Sequence, residues 1–313
     1  MFQRASCFLT IWPHIRRQGT QVPGAHPAAC LEDGAWIHEW SDEFNGDALD
    51  PSFWQVVTSR GGYEGIDLPV AGLNVTACRS AACREENAQV AGGFLRILSE
   101  RDGQDATRYY SAAVTTKDRV AWSSAQQPFR LCVRAQLPLN SKGVWPAHWM
   151  LPQNGYSDRC LDEGEMDITE MVSSDGLAYN TYHWMSSWPG AHCGKFEEFH
   201  KSVASSHKVP SYNTEFHEYA VERSSSRITF AIDGHVTGSF SAERNNFVVS
   251  ETPFFLILNT AIGGGWPGAP SAETQMPVEH LIDWVRVVRK SEASTVANGG
   301  FQVSSEIRRH TAL

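Results

Sequence analysis

A chain of 313 residues with 42% hydrophobic and 19% charged side chains can bury a full core and is not disordered by composition. Its formal net charge of −9, with no basic stripe to reverse it locally, argues against phosphate backbones and anionic lipid as partners, so nucleic acid is not expected. No run of about 18 apolar residues is present, which excludes a membrane-spanning helix.

In chain order, residues 1–34 show no clear periodicity and are expected to be loosely ordered. Within them residues 5–12 form a short apolar run behind Arg4, but Pro13 and Arg16-Arg17 interrupt it, so it reads as an imperfect secretory leader. From 35 to 290 the texture is short alternating segments separated by Gly, Pro, Asn and Asp, the pattern of one all-β sandwich or barrel. Phe129, Leu131, Val133 and Ala135 alternate with Arg130, Cys132, Arg134 and Gln136, which predicts a strand with one buried and one more exposed face. Ile228, Phe230 and Ile232 repeat the pattern, Asp233-Gly234 supplies a turn able to take positive φ, and residues 235–240 return as the second arm of a hairpin. The apolar runs 254–258 and 281–288 are expected to be central strands. Residues 291–313, rich in Ser, Ala and Gly, are expected to form a loose tail.

The seven cysteines include no CxxC pair, so disulfides are expected rather than zinc. Cys78 and Cys83 can close a short loop, and Cys160 and Cys193 flank an acidic segment. The pairing itself stays open, and an odd count leaves a thiol over. Asn74-Val75-Thr76 is a glycosylation sequon. Cysteines and sequon together point to secretion. Eleven Trp is a high count, and because a buried indole N–H needs a partner, some rings are expected to face a ligand. A flat ring complements the C–H face of a pyranose, so carbohydrate is the first ligand to consider.

The segment Glu165-Met166-Asp167-Ile168-Thr169-Glu170 carries the chemistry. Strict alternation puts Glu165 and Asp167 on one face and would bury Glu170 on the other, at a high desolvation cost. One β-bulge near Ile168-Thr169 restores the phase, returning Glu170 to the acidic face and Met171 to the core. Neighbouring carboxylates repel, which raises the pKa of one and leaves another ionised. A retaining glycosidase needs that division, with a nucleophile and a proton donor about 5–5.5 Å apart. The two Glu backbones would stand about 13 Å apart at roughly 3.3 Å per residue, a gap that long side chains leaning over a sugar can narrow. The alternatives are a solvated face or a calcium site.

With this segment, Gly143-Val144-Trp145-Pro146-Ala147-His148-Trp149-Met150-Leu151-Pro152 and Gly263-Gly264-Gly265-Trp266-Pro267-Gly268 resemble glycoside hydrolase family 16, and within it the laminarinase-type endo-β-1,3-glucanases. Weaker matches extend from Trp40-Ser41-Asp42-Glu43-Phe44-Asn45-Gly46 to Asp283-Trp284-Val285-Arg286-Val287. The resemblance implies an all-β jelly-roll sandwich of two curved antiparallel sheets, with the acidic strand in a concave cleft. It implies Glu165 as nucleophile, Asp167 as its supporting acid and Glu170 as acid/base. Trp145 and Trp149 would stack glucosyl units, Trp266 would line the cleft from a glycine-rich loop, and Arg84, Asn45 and His183 would lie near the substrate. No organic cofactor is needed. A structural calcium on Asp283 and Glu43 is the one metal the resemblance suggests. The expected partner is a β-glucan and the expected state a monomer. Departures bear on fine specificity: Arg223 stands where Trp is usual, His148 where Phe is common, and a long insertion runs from Trp184 to near Pro210. A lectin-like binder, the same chemistry on a galactan or mixed-linkage glucan, and transfer to an acceptor sugar are the rival readings.

Overall fold

Alternating β-branched and aromatic residues between turn formers give strands almost throughout the computed structural model, which describes residues 30, 32, 34–57, 78–153, 163–172, 174–186 and 199–292. The strands begin with β1 (Trp36–Asp42), β2 (Gln55–Val56), β3 (Ala82–Cys83), β4 (Ala88–Ala91), β5 (Phe94–Arg101), β6 (Tyr109–Ser111) and β7 (Ala113–Thr115). They continue with β8 (Phe129–Gln136), β9 (Val144–Pro152), β10 (Glu165–Glu170), β11 (Leu177–Met185) and β12 (His200–Lys208). The last five are β13 (His217–Arg223), β14 (Arg227–Ile232), β15 (His235–Ser241), β16 (Phe254–Ile262) and β17 (Val278–Lys290).

They form a two-layer jelly-roll. One sheet runs β15-β14-β13-β8-β17-β5-β6-β3, with β1 on β17 and β4 on β5; the other runs β12-β11-β10-β9-β16-β7-β2. Pairing is antiparallel except between β3 and β6, which run parallel. No helix among the described residues is long and apolar enough to cross a membrane.

Between the layers, Leu131, Val133, Val221, Val285 and Val287 of one sheet pack against Met150, Met166, Ile168, Leu256 and Leu258 of the other, all buried. Along β10 and β11 the side turned away from this core carries the partly exposed residues of an open face. The Asp233-Gly234 turn joins β14 to β15 with φ of 49° and 76°, as the sequence predicts. All nine residues of β16 are buried, consistent with its continuous apolar run.

The expected exposed face of β8 is corrected. Arg130 and Cys132 are buried. Cys132 is joined to Cys30, and the Arg130 guanidinium lies 3.9 Å from the centre of the Trp36 ring while bonding Glu222 at 2.7 Å. Cys30, placed in the loose N-terminal segment by sequence, is thus tied to the sandwich, and Ser291 donates its N–H to Ala35. Cys78 does pair with Cys83. Cys7, Cys160, Cys193, the leader-like run and the sequon lie outside the described residues.

Two departures lie in the core. Arg223 is fully buried, donates to the carbonyls of Ser250 and Thr252, and lies 4.2 Å from the Phe254 ring centre; burial lowers its pKa to about 10. His148 meets His280 Nε2 to Nε2 at 2.9 Å, their rings stacked. Burial, then for His148 the neighbouring His280, depresses both, His280 to about 3, so both are neutral and share one N–H.

The Cys30–Cys132 bridge closes a separation of 102 residues. Replacing both with Ala is expected to cost about 2–5 kcal/mol in urea unfolding, since so long a tie restricts the unfolded chain strongly.

Candidate active site

Strand β10 is the floor of the open face. Gly164 precedes it at φ 93°, where a Cβ would come within 2.8 Å of the buried Tyr182 ring, so glycine alone lets the chain enter at this angle. Glu165 then lies opposite His183, and Asp167 lies opposite Thr181 on one side and Trp149 on the other. The register breaks after Asp167, and Glu170 falls opposite Tyr179 and Ala147. Met166, Ile168 and Met171 all enter the core cluster. The bulge inferred from the acidic spacing is present where it was expected, and it brings the three carboxylates to one face.

Its stray backbone carbonyl has a dedicated partner. Asn180 of β11, fully buried, donates Nδ2–H to the Ile168 carbonyl at 2.6 Å, and its Oδ1 accepts from Thr237 at 2.7 Å. Thr237 belongs to β15, so the clamp reaches across to the opposite sheet.

One donor atom each from Glu165, Asp167 and His183 lies within 4.8 Å of the others. His183 Nε2 stands 3.0 Å from Asp167 Oδ2. Burial works against charge on His183, but the Asp167 hydrogen bond and the charges of Asp167, Glu165 and Glu170 outweigh it and raise its pKa to about 9. At neutral pH its Nε2 therefore carries a proton toward the carboxylates. Burial, then the charges of Asp167 and Glu165, pushes Glu170 well above the usual carboxylate range; His183 and a hydrogen bond from Trp145 draw it partly back. Glu170 is thus a proton donor at a pH where ordinary carboxylates are ionised.

Around Glu170 stands an aromatic wall. Trp145 donates Nε1–H to Glu170 Oε1 at 3.0 Å, Trp266 meets Trp145 edge-on at 5.5 Å and Tyr179 at 5.0 Å, and Trp266 is 46% exposed. The Gly263-Gly264 turn has φ of 75° and 126°, and a Cβ on Gly264 would press on the Trp145 ring at 3.4 Å. Trp149 also lies on this sheet, but it is only 6% exposed and donates to Asn259 Oδ1 at 2.7 Å, so it forms floor more than wall.

Arg84 lies over Tyr110 and 3.7 Å from Glu86, and Asn45 is exposed in the bend after β1; among the described residues no hydrogen bond or ion pair links either to the acidic strand. Glu43 accepts two hydrogen bonds from Arg286, and Asp283 pairs with Arg134. With guanidinium groups already against both carboxylates, this donor pair does not fit a calcium ion.

Sequence reasoning missed Tyr179, Arg79 and His200. Tyr179 was recoverable, since Tyr179, Thr181 and His183 share one face of β11 by period two. Arg79, on the loop closed by Cys78 and Cys83, places its guanidinium 5.0 Å from the Trp145 ring centre, and His200 Nε2 lies 2.8 Å from His183 Nδ1. No periodicity marks either.

The family model for glycosyl hydrolases family 16 matches residues 93–286. A beta-glucanase of Rhodothermus marinus is 31% identical over 81% of this chain and 85% of its own length. Glucan endo-1,3-beta-glucosidase A1 of Niallia circulans is 30% identical over 80% of this chain, which spans 37% of that longer protein. The solved catalytic domain of an endo-1,3-beta-glucanase (laminarinase) from Thermotoga petrophila superposes with a TM-score of 0.66 at 30% identity, over 83% of this chain and 100% of that one.

Asn180→Ala is expected to cost about 1–3 kcal/mol in denaturant unfolding, because the Ile168 carbonyl is left buried without its donor. Trp145→Phe keeps a ring but removes the N–H that lowers the Glu170 pKa, so carbon-13 carboxyl NMR should find Glu170 titrating at higher pH than in wild type.

Proposed function

Because the chain belongs to glycosyl hydrolase family 16, we propose that it hydrolyses β-1,3-linked glucan from within the chain and with retention of configuration. The observation that carries this reading is the bulged strand β10, which aims Glu165 and a proton-holding Glu170 onto the same open face. In the first step Glu165 attacks the anomeric carbon while Glu170 gives its proton to the departing glycosidic oxygen, leaving a glycosyl ester on Glu165. In the second step Glu170, now ionised, takes a proton from water, and the hydroxide so formed displaces Glu165. The two steps return both carboxyl groups to their starting states, so no cofactor is consumed.

Asp167 does not touch the sugar in this scheme. Paired with His183 beside Glu165, it raises the Glu170 pKa and so keeps the Glu170 proton in place. The exposed Trp266, with Trp145 and Tyr179, supports stacking of glucosyl units beside the proton donor. The family relatives named as 1,3-beta-glucanases support this linkage over others. The two disulfides support work outside the reducing interior of a cell.

The test is reducing-end release from laminarin. Wild type is expected to liberate oligosaccharides whose new ends appear first as the β-anomer in proton NMR. Glu165→Gln should abolish release, and Glu170→Gln should lower kcat by about 10²–10⁴. Equal inertness of wild type and Glu165→Gln, with retained binding, would convert the reading to a glucan-recognition protein. Cleavage of agarose or lichenan in place of laminarin would move the substrate class.

A further inference from the structure

We propose that His200 is a positioning residue for the carboxylate cluster, accepting the Nδ1–H of His183 and thereby holding the charged ring against Asp167. The inference rests on the hydrolytic reading above and adds to it a residue from the insertion that follows β11.

The geometry is specific. In the β11–β12 ladder His183 lies opposite Ser202 and His200 opposite Met185, so the two imidazoles are diagonal neighbours on one face. Their rings stack at 5.0 Å with 17° between planes, and Nδ1 of His183 meets Nε2 of His200 at 2.8 Å. A 2.8 Å contact between two ring nitrogens needs one proton. The groups facing His183 decide which ring supplies it: Asp167, Glu165 and Glu170 on β10 favour charge on His183, whereas burial, His183 and Lys201 hold His200 neutral near a pKa of about 4. His183 is then the doubly protonated ring. Its Nδ1–H finds an acceptor in His200 Nε2, and its Nε2 side stands 3.0 Å from Asp167 Oδ2 as an ion pair. His200 correspondingly carries its own proton on Nδ1. A ring hydrogen-bonded at Nδ1 and stacked on His200 is kept from swinging away from Asp167, much as an outer partner orients a metal-bound histidine.

The test compares wild type, His200→Gln and His200→Phe. Glutamine can present an oxygen acceptor; phenylalanine preserves the stacked ring and accepts nothing. Phenylalanine is expected to lower laminarin kcat about tenfold with KM within about twofold, since roughly 1.4 kcal/mol separates an oriented from an unsupported charged donor. Glutamine should recover most of that loss. Nitrogen-15 NMR of the wild type should find both His183 nitrogens protonated at neutral pH, and the His183 pKa should fall in the phenylalanine variant and recover with glutamine.

Wild-type laminarin hydrolysis is the control on the hydrolytic reading, and its absence would sink that reading alone. With active wild type, a phenylalanine variant of unchanged kcat, or a glutamine variant no better than phenylalanine, overturns the role of His200. So does a wild-type His183 found neutral at neutral pH, a measurement that needs no variant to fold.

Discussion

The hydrogen bond from Asn180 to the Ile168 carbonyl is the contact on which the site depends. A bulge leaves one carbonyl outside the regular ladder, and a buried carbonyl needs a donor. Asn180 supplies it from the neighbouring strand and is itself fixed by Thr237 from the opposite sheet. Packing on the core side and chemistry on the open side are therefore one problem. Met166, Ile168 and Met171 can all be buried while Glu165, Asp167 and Glu170 all face outward only because the period slips once between them.

Electrostatics follows from that placement. Three carboxylates on one face cannot all be ionised cheaply, and the surroundings divide their roles. His183 sits against Asp167 and lends positive charge to that end of the cluster. Glu170, half-buried against Trp145 and beside the charges of Asp167 and Glu165, keeps its proton instead. The proton donor and the ionised carboxylate thus differ in environment rather than in residue type.

Much of this was legible in the sequence where local pattern and tertiary demand coincide. The limits of β8, the Asp233-Gly234 hairpin and the break in β10 all follow from alternation and the cost of burying charge. What stayed hidden depends on contacts distant along the chain. The cover over Arg130 and Cys132 comes from Cys30 and Trp36, about a hundred residues earlier, and nothing local to β8 announces it. Residues 200–208 fall within what reads as an insertion relative to the family, yet they pair along the whole of β11 as the sheet edge. Asp283 and Glu43 looked like oxygen ligands until Arg134 and Arg286 were found against them. Arg223 breaks the simplest expectation, a charge at a core position, and is accommodated because two carbonyls and an aromatic face receive its guanidinium.

The neutral imidazoles of His148 and His280 give the fold a preferred habitat. In the unfolded chain each would take up a proton near pH 6.5, but inside the sandwich His280 resists until about pH 3. Such a depressed folded-state pKa leaves stability intact above 6.5 and erodes it as the medium acidifies toward 3, because the unfolded chain then binds protons that the native one refuses. At this pair, souring of the medium would weaken the sandwich from its centre.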